Sequence, residues 1–236
     1  MDSKRAVILA GGKGTRLKPY TISLPKPLVP VGDIPVMEII IRQLKNHGFK
    51  HITLAVNHMS EIIKAYFGDG SKWDVMIDYS EEKVALGTMG PLKIIDDLPE
   101  DFLVMNGDVI TDLNFSELFK LHKSSDAFFT ISTYSRKEKI DYGVIEELDG
   151  RLVEMKEKPS IDFQVSMGVY VVKKEVLPFI PENIPYGFDQ LMSDLLSNDR
   201  NVQTVKHDKY WLDIGRPSDY EVALQDFDSN IKYFLE

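Results

Sequence analysis

The chain alternates two hydrophobic rhythms. Ala6 to Ala10 is a short, continuously apolar run closed by Gly11 and Gly12, the pattern of a parallel strand buried on both faces. The stretch VMEIIIRQLKNHGF, from Val36, carries apolar residues at helical spacing and stops at Gly48, which predicts a helix. HITLAVN predicts a second strand, SEIIKAYFGDG a second helix, VMIDYS a third strand, TMGPLKIIDDL a short helix and FLVMNGDVI a fourth strand. Strands alternating with helices imply right-handed crossovers and a mainly parallel sheet with helices on both faces. Ligands of such sheets bind beyond the carboxyl ends of the strands.

After Lys123 the rhythm changes. DAFFTISTY, YGVIEEL, RLVEMKEK and SMGVYVVKK are strand-like stretches separated by short turns, with a hairpin signal at Leu148-Asp149-Gly150. Helices are predicted from Tyr186 to Leu196 and from Ser218 to Phe227, with WLDIG between them on a loop or strand end. The expected fold class is α/β, a mixed and mainly parallel sheet flanked by helices with an antiparallel extension. There is no internal repeat and no linker rich in Pro, Gly or Ser, so the 236 residues are expected to form one domain spanning 1–236, with halves 1–123 and 124–236.

Charge narrows the partners. The 28 basic against 37 acidic residues give a net charge of -9, which opposes non-specific attraction to nucleic acid or an anionic membrane. A small anion is a different matter, because Lys13, Arg16, Lys18 and Lys26 concentrate positive charge in one segment. With no cysteine, disulfides, thiolate metal sites and cysteine nucleophiles are excluded. The apolar run after the basic start is too short for a signal-peptide core or a membrane span, and a cytoplasmic location is expected.

The chemistry concentrates in Leu9 to Val31, LAGGKGTRLKPYTISLPKPLVPV. Glycines 11, 12 and 14 directly after a strand let backbone N–H groups approach a phosphate closely. The stretch fails the dinucleotide pattern, since Leu17 stands where the third glycine belongs, and no Gly-Lys-Ser/Thr follows at P-loop distance. By itself the turn reads equally as a structural one. Its flanks add Arg16 and Lys26, the latter held between Pro25 and Pro27, which stiffen the backbone.

GGKGTRL followed by PKPLVPV resembles the signature of the sugar-1-phosphate nucleotidyltransferases, which make nucleotide sugars from nucleoside triphosphates. The resemblance implies a Rossmann-like domain whose first half binds nucleotide and whose second, antiparallel half binds sugar phosphate. Leu9, Ala10, Gly11, Gly12, Gly14 and Thr15 would wrap the triphosphate, Arg16 would contact the leaving pyrophosphate, and Lys26 would touch the α-phosphate or the sugar phosphate. Asn106-Gly107-Asp108 matches the place of a carboxylate holding Mg²⁺, and Asp213 in WLDIGRP resembles the second metal carboxylate. Magnesium takes oxygen ligands and substrate phosphates, with no need of His or Cys. Each aspartate alone also reads as a turn residue or helix cap, and Asp112 is expected in such a role.

Glu157-Lys158-Pro159 is similar to the motif whose lysine binds sugar 1-phosphate; for Lys158 a solvated surface position is the alternative. Tyr142-Gly143-Val144 and Met167-Gly168-Val169-Tyr170 resemble loops contacting sugar hydroxyls. Glu82, with Gly87 and Thr88 of Leu86-Gly87-Thr88-Met89-Gly90-Pro91-Leu92, falls to nucleotide binding. That segment looks most like guanylyltransferases acting on mannose 1-phosphate or a heptose 1-phosphate, and Met89, where many relatives have a smaller residue, is expected to narrow the base pocket or change its preference. The implied catalytic set is Arg16, Lys26 and Asp108. Mg²⁺ is the implied cofactor, and a nucleoside triphosphate and a sugar 1-phosphate are the partners, with homo-oligomerisation left open. The alternatives are a UTP-, CTP- or dTTP-dependent enzyme, a silent nucleotide-sugar-binding regulatory homologue, and a nicotinamide oxidoreductase.

Overall fold

The structure, a computed structural model, describes residues 4–235. In chain order the elements are β1 (Lys4–Leu9), β2 (Pro30–Val31), β3 (Ile34–Pro35), α1 (Val36–Asn46), β4 (Phe49–Val56), α2 (Ser60–Phe67), β5 (Met76–Glu81), β6 (Asp101–Asn106), β7 (Val109–Thr111), α3 (Phe115–Lys123), β8 (Phe129–Lys139), β9 (Gly143–Leu148), β10 (Arg151–Glu157), β11 (Ser160–Lys173), α4 (Phe188–Ser197), β12 (Val202–His207), β13 (Trp211–Asp213) and α5 (Pro217–Leu235). Seven strands form the main sheet in the order β12-β8-β11-β6-β1-β4-β5. β5, β4, β1 and β6 run parallel, β11 is antiparallel to both β6 and β8, and β12 is parallel to β8. The sheet is thus mixed and mainly parallel, with β11 as its one reversed strand.

Burial explains the apolar run that opens the chain. Ala6 and Ile8 face a core shared with α1 and α3, through Met37, Ile40, Ile41, Phe115 and Leu118. Val7 points the other way, into a second core with Met89, Leu92, Phe102 and Val104. A strand with helices or turns on both faces has no solvent side, so every position is apolar. On α1 the residues Val36, Met37, Ile39, Ile40, Ile41 and Leu44 are buried, which is the helical periodicity read from the sequence.

Several elements differ from expectation. TMGPLKIIDDL forms only a 3-10 turn at Gly90–Ile94, with Pro91 in its first turn and Gly87 and Gly90 bracketing Thr88-Met89 before it. β8 and β11 are longer than their apolar stretches. They continue outward as a paired ribbon in which Lys139 meets Ser160, and β9 and β10 close the excursion as a hairpin turned by Asp149 and Gly150. The predicted fourth strand FLVMNGDVI is two strands, β6 and β7, parted at Gly107-Asp108; WLDIG supplies the short strand β13, and β12, whose residues are mostly part-buried, is an element the pattern does not predict. The helix expected at 218–227 begins at Pro217 and reaches Leu235.

Phe49, at the start of β4, is fully buried, meets Phe119 edge-on at 5.5 Å and carries the Lys4 ammonium 5.3 Å from its ring centroid. Phe49→Ala is expected to cost about 3–5 kcal/mol by removing this filling, seen as a lower guanidinium midpoint at unchanged slope.

Candidate active site

The carboxyl ends of β1, β4 and β6 open into a cavity of about 560 Å³. Its floor is the loop after β1, from Leu9 through Arg16, which lines it continuously. The loop is fixed at its turn: Leu17 N–H and the Thr21 hydroxyl both donate to the Gly14 carbonyl, at 3.0 and 2.7 Å. Lys26 enters from a short 3-10 turn at Lys26–Leu28, preceded by extended Pro25 and followed by buried Pro27. Glu82, Gly87 and Thr88 form the far wall, and Asn106, Gly107 and Asp108 close the near one. All twelve positions expected to bind nucleotide line this one cavity.

The wall at Gly87 depends on the absence of a side chain. Its φ is +77°, and a Cβ there would lie 2.8 Å from the Tyr186 carbonyl oxygen. That close approach lets Tyr186 tie the segment down: its N–H donates to Leu86 O, and its carbonyl accepts from Met89 and Gly90. Met89 is fully buried in the second core and does not line the cavity. The expectation that it narrows a base pocket is therefore corrected: its side chain points down into the sheet packing and supports the loop from beneath.

Two carboxylates from distant parts of the chain meet at the near end. β13 pairs antiparallel with β7, placing Asp213 opposite Val109, and Ile214 N–H donates to the Asp108 carbonyl at 3.0 Å. Burial, and then the negative charge of Asp108, push the Asp213 carboxyl up to about 6, while Lys26 and Arg16 pull it down. Asp108 is paired to the Lys26 ammonium through Oδ2, and its Oδ1 is buried with no hydrogen-bond partner. Arg16 reaches the same spot, since a Cβ on Gly215 would lie 3.6 Å from Arg16 Nη2 and 3.5 Å from Asp213 Oδ2. Neither aspartate caps a helix; Asn114 caps α3, accepting from Glu117 N at 3.0 Å.

This donor set fits a hard divalent cation. It offers carboxylate oxygens alone, one of them an orphaned buried acceptor, in a place where two negative groups are held in mutual repulsion. Two protein carboxylates completed by water and substrate phosphates are what Mg²⁺ takes. Among the described residues no cluster of three or more such ligands occurs.

The residues expected to bind sugar phosphate lie apart from this lining. Gly168 comes nearest: it sits at an irregularity in β11 with φ +72°, and a Cβ there would be 2.5 Å from Nδ2 of Asn106, which lines the cavity. Gly143 and Glu157 face each other across the outer hairpin. Lys158 follows with φ +44° and donates its N–H to Tyr142 O at 3.2 Å. Both Glu157 and Lys158 are exposed. Sequence reading passed over Asn57, Asn106 and Gly215 as lining residues. Asn57 had a usable signal, a polar side chain directly after a buried parallel strand.

The chain matches the nucleotidyl transferase family over residues 5–230. It belongs to that family. Its relatives include a UTP–glucose-1-phosphate uridylyltransferase of Synechocystis, 34% identical over 94% of this chain and 62% of that one. A mannose-1-phosphate guanyltransferase of Yarrowia lipolytica is 36% identical over 92% of this chain and 62% of its own length. The chain thus spans less than two thirds of the curated relatives it matches. Among solved structures, HddC of Yersinia pseudotuberculosis in complex with GMP-PN aligns with a TM-score of 0.72 at 25% identity, covering 95% of this chain and 99% of that one. The mixed sheet described above is the nucleotidyl transferase fold.

The electrostatics of the pair can be checked directly. Carboxyl-carbon NMR of the ligand-free protein should show Asp213 titrating near pH 6, lower in Asp108→Asn, which removes the repelling charge, and higher in Lys26→Met, which removes an attracting one. Since the folded value lies above the unfolded one near 3.9, this group's stabilising contribution is full below about pH 4. It is lost as pH rises through about 6.

Proposed function

We propose that this protein is a sugar-1-phosphate nucleotidyltransferase, with GTP as donor and mannose 1-phosphate or a heptose 1-phosphate as acceptor. The observation that carries this is the convergence of Arg16, Lys26 and Asp108, which line a glycine-floored cavity, with Asp213, which stands beside them just outside the lining. Both substrates are anions, so the work of the site is to bring them together and offset charge on the transferring group. In the proposed step an oxygen of the sugar phosphate bonds to the α-phosphorus of the triphosphate while the bond to the bridging oxygen breaks and pyrophosphate leaves in line.

The backbone N–H groups of the loop from Gly11 to Thr15 cradle the triphosphate. Arg16 holds the departing pyrophosphate, and Lys26 leaves Asp108 to meet the α-phosphate. Asp108 and Asp213 would hold Mg²⁺, which supplies charge neutralisation on the phosphates when bound. The attacking phosphate is largely ionised at neutral pH, its second pKa being about 6, so no histidine is needed as base. Lys158 and Glu157, carried on the outer hairpin with Gly143, and Gly168 beside Asn106, serve the sugar phosphate. The setting is cytoplasmic, where the donor is made, and the product is a nucleotide sugar for cell-surface polysaccharide.

The choice of guanine is supported by Glu82. Its carboxylate lines the cavity packed against Gly11, whose hypothetical Cβ would lie 2.6 Å from Oε1, while Oε2 accepts from Leu86 N–H at 2.8 Å. Burial pushes this carboxyl up, opposed by the Leu86 and Asn57 donors, so further N–H donors from a ligand would hold it ionised. Guanine presents two adjacent donors, N1–H and the N2 amino group, to an acceptor-only carboxylate. Uracil and thymine present one imide N–H between two carbonyls, which repel a second carboxylate oxygen. The GMP-PN complex of the Yersinia relative adds to this; the uridylyltransferase among the relatives favours UTP as the alternative donor.

A matrix of nucleoside triphosphates against sugar 1-phosphates with Mg²⁺, scored by pyrophosphate release, tests the whole proposal. GTP with mannose 1-phosphate or a heptose 1-phosphate should give the highest kcat/KM, and absence of pyrophosphate from every combination would favour a silent binding homologue. Lys26→Ala and Arg16→Ala should lower kcat by ~10²-fold or more, whereas Lys158→Ala should mainly raise KM for the sugar phosphate. Glu82→Gln should lower kcat/KM for GTP by roughly 10–100-fold through loss of charge-assisted hydrogen bonds, and an unchanged value would remove Glu82 from base recognition.

A further inference from the structure

The ladder that carries Asp213 to Asp108 is only three residues long, Trp211–Asp213 against Val109–Thr111. Strand side chains alternate, so a slip of one residue would turn Asp213 to the opposite face. In longer strands a run of buried side chains prevents this. Here the residues of β13 are all only half-buried; Trp211 donates its ring N–H to Met167 O at 2.9 Å, Ile214 N–H holds the Asp108 end, and the opposite end of the ladder needs a tie of its own.

Asp112, the residue after β7, occupies that end. Its Oδ1 accepts the Tyr210 N–H at 2.9 Å and meets His207 Nε2 at 2.7 Å, and its own N–H donates to the Tyr210 carbonyl at 3.3 Å. The Thr111 hydroxyl donates to the same carbonyl at 2.7 Å, and the Thr111 carbonyl is held from α1 by the Gln43 side chain at 2.8 Å. The polar atoms of one residue, Tyr210, are thus gripped just before β13 begins. The grip is anchored to β12 by His207, to β7 by Asp112 and Thr111, and to the core helix α1 by Gln43.

We infer that Asp112 is a positioning residue, which fixes the register of β13 and thereby holds the Asp213 carboxylate beside Asp108. Asp112 is not itself part of the carboxylate pair. It lies at the far end of the ladder, three residues from Val109, the partner of Asp213, which is about 10 Å along a strand. It acts through main-chain atoms, which is why an Asp there has a purpose that neither a turn nor a helix cap supplies. The inference rests on the proposed metal role of Asp108 and Asp213, and asks what keeps those two together.

Mn²⁺ binding to the nucleotide-free protein, followed by loss of the free-ion EPR signal, tests it without turnover. Asp112→Ala is expected to weaken Mn²⁺ binding by about 10-fold, the low end of what loss of support around a metal ligand costs, because Asp112 acts on Asp213 through the β13 backbone and not by direct contact. Asp112→Asn keeps an oxygen acceptor for the Tyr210 N–H and should restore most of that loss. A folded Asp112→Ala protein, by circular dichroism, with wild-type Mn²⁺ affinity overturns the inference, as does an Asp112→Asn protein no better than Asp112→Ala. Should Asp112→Ala not fold, His207→Phe removes the ring nitrogen facing Asp112 at similar volume. Weakened Mn²⁺ binding in that variant supports the inference, and wild-type affinity overturns it. Asp213→Asn separates the two levels: if it binds Mn²⁺ as wild type does, the metal reading itself fails.

Discussion

Two acids forced into one half-buried corner are the constraint on which the remaining structure depends. Left alone, Asp108 and Asp213 repel each other and lose hydration, and the second of them responds by holding its proton up to about pH 6. Lys26 and Arg16 offset part of that cost. A protein that evolved only for stability has no reason to bring the pair together, since buried like charges weaken a fold. The arrangement makes sense as a place where positive charge is to be received.

The fold serves that corner from three directions. β1 and β6, adjacent and parallel, end beside each other, so the glycine loop after one and the Asn106-Gly107-Asp108 turn after the other share a mouth. Gly107 N–H donates to the Leu9 carbonyl at 3.0 Å, which joins the two loops directly. The β7–β13 ladder then returns the chain from its last quarter to the same mouth. Opposite, the segment from Leu86 to Gly90 is tied to Tyr186 by three main-chain hydrogen bonds, with Met89 packed beneath it.

The parallel half was legible in the sequence because burial on both faces leaves a continuous apolar signature, as in Val7 between Ala6 and Ile8. The helix α1 was legible for the related reason that one face of it is core. The glycine loop, Arg16, Lys26 and Asp108 were named through motifs and Glu82 without one, and all of them line the cavity. What pattern could not give was the agency of β7, β12 and β13. Their residues are half-buried or the strands are three residues long, and their pairing is set by side-chain contacts to main chain such as Asp112 with Tyr210. The inward packing of Met89 was also out of reach, because an apolar residue in a loop reads the same whether it faces ligand or core. Glu157 and Lys158 were identified by motif alone, and their place on an exposed hairpin is a feature of the tertiary structure.

The claim that the paired acids form a cation-binding centre at the nucleotide's phosphates is tested most directly by anomalous diffraction. Crystals grown with Mn²⁺ and a non-hydrolysable GTP analogue should show one strong peak in contact with both Asp108 and Asp213 and with phosphate oxygens, the Lys26 ammonium having moved off Asp108. A nucleotide bound in the cavity with no peak at that pair, or with the metal held elsewhere, would contradict the account.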